Sequence, residues 1–185
     1  GAQAIPALLN GAVNPSGRLV DTWVNDMLEN DPAVKNQGDM RWSSGDATGT
    51  YVVYQEGIYV GYRYYETRYA DVVTGAANVG NYDYQSVVTY PFGYGLSYTA
   101  FDYSDYRLTE AEDSVTVSVK VTNSGGAAGR EAVQLYMQSP YTQYDRDNDI
   151  EKEAVQLAGF SKTGMLEPGA SETVEMTVPK EYMRA

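Results

Sequence analysis

The sequence predicts an α+β protein whose second half is an antiparallel β-sandwich. Two observations lead to this prediction. Before residue 90, short helical and extended patterns alternate with polar loops, whereas from Phe101 onward apolar and polar residues alternate as in half-buried strands. Between the halves, residues 90–99 carry four aromatic side chains around Pro91, Gly93 and Gly95. That composition excludes a regular helix or a central strand, so we predict an ordered junction there.

The first residues predict the end of a helix followed by a turn. Residues 2–9 carry small and apolar side chains at helical spacing, and Asn10-Gly11 is a common helix stop. Residues 14–17, Asn-Pro-Ser-Gly, are a turn by composition, and residues 18–24 lead into a short strand. Arg18 could serve as a cation for a substrate. We favour the alternative, an ion pair or a bond to loop carbonyls within the fold.

A long polar loop is predicted for residues 25–50, which are rich in Asp, Asn, Gly and Ser and have no sustained period. Asp39, Arg41 and Trp42 lie at its tip. An aromatic ring flanked by polar side chains suits a sugar, because the apolar face of the ring can stack on the C–H face of a pyranose. These three residues are therefore the candidate substrate-binding residues. The alternative is that Trp42 anchors the loop to the body of the protein.

Residues 51–65 predict extended structure, because aromatic and β-branched residues are dense enough for one or two strands. Glu56 lies among tyrosines, where a carboxylic acid could act as a general acid. Glycoside hydrolysis needs a second carboxylate about 5 to 10 Å away, and the sequence identifies none. We therefore interpret Glu56 as the ion-pair partner of Arg63. We interpret residues 71–85 as an insertion and assign no function to it.

The second half contains several short alternating strands. The clearest is at 114–122, where every second residue is a valine that should face a core: Val115, Val117, Val119 and Val121. Similar alternation occurs at 133–137 and 174–178, and turn sequences occur at 123–126 and 167–169. Short alternating strands joined by turns are typical of β-sandwiches of the immunoglobulin or fibronectin type III kind.

The loop at 141–152 is acidic and could be read as a calcium site, because Asp145, Asp147 and Asp149 alternate in it. An EF-hand loop, however, has a glycine and a terminal glutamate at set positions, and these are missing here. We predict no metal site and no cofactor.

The composition excludes several classes of function. The chain contains neither Cys nor His, which removes disulfides, thiolate catalysis and the Ser-His-Asp triad. A net charge of −12 argues against nucleic acid and anionic membrane surfaces as partners. No apolar run approaches the roughly 18 residues that span a bilayer. Eighteen tyrosines against three phenylalanines suit sugar-binding or interdomain surfaces, and they equally suit strands.

Three motifs together resemble the C-terminal half of family-three glycoside hydrolases, the β-glucosidase group. They are Asn-Pro-Ser-Gly-Arg-Leu at 14–19, Tyr-Gln-Glu-Gly-Ile-Tyr-Val-Gly-Tyr-Arg-Tyr-Tyr at 54–65 and Tyr-Pro-Phe-Gly-Tyr-Gly-Leu-Ser-Tyr-Thr at 90–99, in the family's order. The resemblance implies that residues 1–100 are the C-terminal part of an α/β sandwich domain, with the long loop and the junction. It implies that residues 101–185 are a fibronectin type III-like domain, incomplete at its C-terminus.

The resemblance also implies that the catalytic residues lie outside this chain. In the family the nucleophilic Asp lies in a barrel domain and the acid lies earlier in the sandwich domain, and retaining hydrolysis requires both. We therefore expect this segment to supply scaffold and domain packing in a β-glucosidase-like hydrolase. Its partner would be the remainder of the same enzyme, whose substrate is a β-glucoside or a related oligosaccharide. The alternatives are a non-catalytic module that binds carbohydrate or protein, and a circularly permuted enzyme.

Overall fold

The computed structural model describes residues 4–32, 42–43, 50–51, 57–76 and 79–183, with the backbone alone at 42–43 and 50–51. The chain divides into two compact regions. Unit 1 contains Gly1–Leu19, Gly93–Met137 and Leu157–Ala185, and unit 2 contains Val20–Phe92 and Gln138–Gln156. Each unit draws on separate stretches of the chain, so the predicted domain boundary between residues 100 and 101 stays a prediction. The division falls between Phe92 and Gly93, inside the motif at 90–99.

Short helices and antiparallel strands make up both units, which confirms the predicted α+β class. In chain order the elements are α1 (Ala4–Leu9), β1 (Trp23–Val24), α2 (Met27–Asn30), β2 (Trp42–Ser43), β3 (Thr50–Tyr51), α3 (Tyr62–Thr74), α4 (Tyr84–Val87), β4 (Val88–Tyr90), β5 (Phe101–Glu110), β6 (Ser114–Asn123), β7 (Ala132–Met137), α5 (Gln143–Asp147), β8 (Gln156–Lys162), β9 (Ser171–Pro179) and a 3₁₀ turn (Lys180–Met183).

Unit 1 is built on two antiparallel sheets, one with the strand order β5-β6-β9 and one with β7 and β8. Strand β6 lies in the centre of the larger sheet and alternates perfectly between buried and half-buried residues, as predicted. Its inward valines pack with residues of β7, β9 and the loop before β9. The buried members of this core cluster are Val119, Val121, Val133, Leu166, Val174 and Met176. The sandwich prediction is confirmed by this alternation and this core.

The turn that follows β6 is organised by the amide of Asn123, which is fully buried. Its nitrogen donates to the carbonyls of Ala127 and Leu166, both at 2.8 Å. Its oxygen accepts from the hydroxyl of Thr99 at 2.6 Å and from the backbone N–H of Gly125 at 3.1 Å. A buried amide is tolerated because all of these hydrogen-bonding groups find partners.

Unit 2 contains the main departure from the sequence prediction. Residues 62–65, expected to be extended, form the first turn of the 13-residue helix α3. Tyr65 and Tyr69 follow Tyr62 at helical spacing, and Tyr65 is buried. Gly61 begins the helix with φ of 57°, and Gly75 ends it in the left-handed conformation. Intrinsic preference makes the dense tyrosines strand formers, whereas burial of Tyr65 favours the helix.

The predicted long loop at 25–50 also contains regular structure. Asp26 caps α2, accepting from the backbone N–H groups of Leu28 and Glu29. Further along, β2 and β3 pair as two short antiparallel strands. The prediction of an irregular loop is therefore wrong at these positions. Strand β1 pairs with β4, so the strand expected within 18–24 forms as a β-strand at its last two residues.

The acidic loop at 141–152 folds around one of its own carboxylates. Asp145 is buried and closes a capping box with Thr142 at the start of α5. Its other oxygen lies 2.8 Å from Nζ of Lys152. The hydrogen bond from Lys152, together with bonds from the backbone and hydroxyl of Thr142, lowers the pKa of Asp145 to about 2. This loop belongs to unit 2, although its neighbours in sequence, β7 and β8, belong to unit 1.

We expect Asp145→Asn to remove an acid-sensitive part of the stability. Because the pKa of Asp145 is lower in the folded chain than in an unfolded one, its contribution is present above about pH 4 and disappears as pH falls to about 2. The variant should be less stable than the parent near neutral pH, and its stability should fall less between pH 4 and pH 2. Urea unfolding followed by circular dichroism measures this. Asp147→Asn, an exposed change in the same helix, is the control. If the free energy of unfolding depended on pH in the same way in the parent and in Asp145→Asn, Asp145 would not be the source of the acid-sensitive stability.

Candidate functional site

The predicted substrate residues fall mostly outside the described part of the chain. Asp39, Arg41 and Glu56 are not among the described residues. Trp42 lies in β2, where its backbone pairs with Tyr51. The sugar contact, the anchoring alternative for Trp42 and the Glu56–Arg63 ion pair all stay predictions.

Arg63 has an ion-pair partner in unit 2 that sequence reasoning did not find. Its Nε lies 3.7 Å from Oε1 of Glu153, and its guanidinium lies 6.0 Å from the ring centre of Tyr62. One helical turn further on, the hydroxyl of Thr67 accepts from the backbone N–H of Ala154 at 3.0 Å. The segment at 153–154 is thereby fixed to helix α3.

The motif at 14–19 pairs with residues 93–99, which form the second part of the motif at 90–99, within unit 1. Leu19 donates its N–H to the carbonyl of Tyr94 and accepts from the N–H of Gly93, both at 2.8 Å. The two segments run so close that a Cβ added to Gly95 would collide with the carbonyl oxygen of Gly17. Glycine at position 95 is explained by this close backbone approach.

Asn14 holds the same two motifs together from its side chain. Its oxygen accepts from the N–H of Tyr98 at 2.8 Å and from the hydroxyl of Ser97 at 3.1 Å. Its nitrogen donates to the carbonyl of Ala128, in the loop before β7, at 2.9 Å. One amide thus connects three separate stretches of unit 1, which is a structural role.

Arg18 forms an ion pair within the fold, which confirms the reading favoured from the sequence. Its Nη2 lies 2.5 Å from Oε2 of Glu131, whose other oxygen accepts from the hydroxyl of Tyr103 at 2.9 Å. Glu131 is itself buried. Burial and the bond to this carboxylate raise the pKa of Tyr103, so the phenol stays protonated and donates at neutral pH. Both oxygens of Glu131 are therefore engaged in holding the fold.

Unit 2 contains a polar crevice of about 420 Å³ that the sequence did not predict. Helix α3 supplies Tyr64 and Arg68, which lie four residues apart on one helical face. The turn at 79–83 and the end of α2 form the opposite walls. The helical spacing of Tyr64 and Arg68 is the signal that could have revealed it, had α3 been recognised as a helix.

Comparisons with known proteins show what this chain is similar to. A model of the fibronectin type III-like domain matches residues 131–185. β-Glucosidase A of Butyrivibrio fibrisolvens is 36% identical over 198 residues, which cover 99% of this chain and 20% of that protein. The structure of a GH3 β-glucosidase from Bifidobacterium adolescentis matches 98% of this chain with a TM-score of 0.68 and 26% identity. This chain matches the C-terminal part of the family-3 β-glucosidases. The resemblance identified from the three motifs is confirmed.

A further family-3 structure agrees with this placement. β-Glucosidase 3B of Thermotoga neapolitana, solved in complex with glucose, is 34% identical with a TM-score of 0.68 and is matched over 95% of this chain and 21% of its own. The chain spans about a fifth of the length of the family-3 β-glucosidases that it matches. Residues 14–19 and 93–99, which belong to two of the three motifs at 14–19, 54–65 and 90–99, pair with each other within unit 1.

Proposed function

We propose that this chain is the scaffold portion of a retaining β-glucosidase that hydrolyses β-glucosides or related oligosaccharides. The observation that carries the proposal is the match of almost the whole chain to about a fifth of each β-glucosidase. Its partner is the remainder of the same enzyme, and that remainder supplies the catalytic carboxylates. Residues 1–100 form the end of the α/β sandwich domain and residues 101–185 the fibronectin type III-like domain in this proposal.

The described carboxylates support a scaffold role, because those that are buried or half-buried already bind groups of the fold. Glu131 binds Arg18 and Tyr103, Glu66 accepts from the hydroxyl of Tyr84 at 2.6 Å, and Asp145 binds Lys152. A glycosidase nucleophile and its acid must instead face a shared space that holds the scissile bond. Asp39, Arg41 and Trp42 remain our proposal for residues of this chain that contact the substrate.

The proposal predicts that the 185-residue chain does not hydrolyse an aryl β-glucoside, whereas the polypeptide of the complete reading frame does. The reason is that retaining hydrolysis needs a nucleophilic carboxylate and a carboxylic acid, and the resemblance to family-three hydrolases implies that both lie outside this chain. Release of nitrophenol from p-nitrophenyl β-glucoside measures both. Turnover by the isolated chain that disappears in Glu56→Gln would show that the active site lies within these residues. A complete polypeptide without glycosidase activity would contradict the family function.

A further inference from the structure

The crevice in unit 2 combines aromatic rings with fixed polar groups. It is lined by Tyr64 and Arg68 of α3, by the turn at 79–83 and by Asn30. Its volume of about 420 Å³ lies within the range of about 300 to 1,000 Å³ that small-molecule sites occupy. The crevice therefore has room for one small ligand.

Arg68 is held in place before any ligand arrives. Its Nη2 donates to the carbonyl of Val79 at 2.7 Å, and its guanidinium carbon lies 5.2 Å from the ring centre of Tyr82. Its Nη1 lies 3.9 Å from a carboxylate oxygen of Asp71. The guanidinium keeps its charge, and a carbonyl, a ring and a carboxylate hold it as a planar hydrogen-bond donor.

Tyr82 has a buried hydroxyl group that lacks a hydrogen-bond partner within the described ranges. Burial raises the pKa of this phenol, so it remains protonated at neutral pH. A buried hydroxyl without a partner is unfavourable, and a ligand that reached it with an oxygen would remove that cost. Tyr82 is also one of the residues that line the crevice, so a ligand bound there would lie against this side chain.

The charges around the crevice indicate what kind of ligand fits. Glu29 and Asp83 contribute carboxylates to its walls, and the chain as a whole carries a net charge of −12. These charges disfavour phosphates and other anions. Tyrosine rings supply apolar faces with polar edges, and amide and carboxylate groups supply acceptors and donors for hydroxyl groups.

We propose that this crevice binds one neutral pyranose unit of a saccharide, with Tyr64 and Tyr82 against the ring and Arg68 and Asn30 at its hydroxyl groups. The proposal does not rest on the hydrolase function, because it concerns binding to the described residues alone. It makes Tyr82 a binding residue, because its hydroxyl has no hydrogen-bond partner among the described residues of the free chain.

Heteronuclear NMR titration of the full chain with glucose and cellobiose tests the proposal. We expect saturable shifts at Tyr64, Arg68 and Tyr82, and no saturable shifts there with glucose 6-phosphate. Tyr82→Phe should weaken binding about five-fold, which corresponds to one net hydrogen bond. Tyr64→Ala should abolish saturation, and Tyr182→Phe, an exposed tyrosine of the 3₁₀ turn, should bind like the parent.

Stability distinguishes this role from a structural one. Because Tyr82→Phe removes a hydroxyl that has no partner in the described part of the chain, it should leave the melting temperature unchanged or slightly raised while affinity falls. The proposal is overturned if neither sugar gives saturable shifts up to roughly 100 mM. It is also overturned if Tyr82→Phe and Tyr64→Ala bind as tightly as the parent, or if glucose 6-phosphate binds more tightly than glucose. Loss of aryl-glucosidase activity in the complete polypeptide, by contrast, would bear on the hydrolase proposal alone.

Discussion

Val119→Asp is expected to lower the melting temperature of the chain by about 10 °C. Val119 is buried in β6, pairs with Val174 of β9 and belongs to the core cluster of unit 1. A carboxylate placed there would be an uncompensated buried charge, which costs about 3 to 5 kcal/mol, and each kcal/mol shifts the melting temperature of a protein of this size by about 2 to 4 °C. Thermal unfolding followed by circular dichroism measures the change.

Ser118→Asp is the matched control, because the neighbouring side chain points to the opposite face of the same strand. Ser118 lies opposite Arg107 on β5 and opposite Glu175 on β9, so the new carboxylate would meet one attractive and one repulsive charge. Its effect should stay within about 0.5 kcal/mol. Equal loss of melting temperature at positions 118 and 119 would show that β6 does not bury one face, and the sandwich assignment would then be wrong.

Glu131→Ala is expected to destabilise unit 1 by about 2 to 4 kcal/mol. The substitution leaves Arg18 without its carboxylate and the hydroxyl of Tyr103 without its acceptor. Both groups are partly buried, so water only partly replaces the lost bonds. Urea denaturation measures the loss. Glu131→Gln, which keeps an acceptor oxygen for Tyr103, should lose less.

Glu175→Ala is the control for this change, since Glu175 is an exposed glutamate on β9 of the same unit. Its stability should differ little from that of the parent. If Glu131→Ala and Glu175→Ala behave alike, the contact between Arg18 and Glu131 does not stabilise the fold.

The sequence predicted the structure correctly where apolar residues repeat with a regular period. The alternation in β6 and β9 predicted which valines face the core, because a strand with one buried face repeats every two residues. Helix α3 was missed because its tyrosines favour strands by intrinsic preference, and burial of Tyr65 overrode that preference. Propensity is a weak guide when a segment packs on one face.

Contacts between distant parts of the chain could not be predicted. Arg18 and Glu131 are separated by 113 positions, and nothing in one sequence links them. The three motifs predicted the family, and an ion pair for Arg18 was expected, but not its partner. The crevice depends on Tyr64, Arg68 and Tyr82 lying together, which requires the helix that was missed.

We infer that the contact between Arg18 and Glu131 holds the fold and takes no part in hydrolysis. The most direct test is kcat/KM for an aryl β-glucoside in the complete polypeptide carrying Glu131→Ala, measured well below its melting temperature. We predict a lower melting temperature with kcat/KM within about two-fold of the parent, because no group that acts in the transition state has been removed. An unchanged melting temperature with kcat/KM reduced about 100-fold or more, the loss typical of a general acid or base, would contradict the claim.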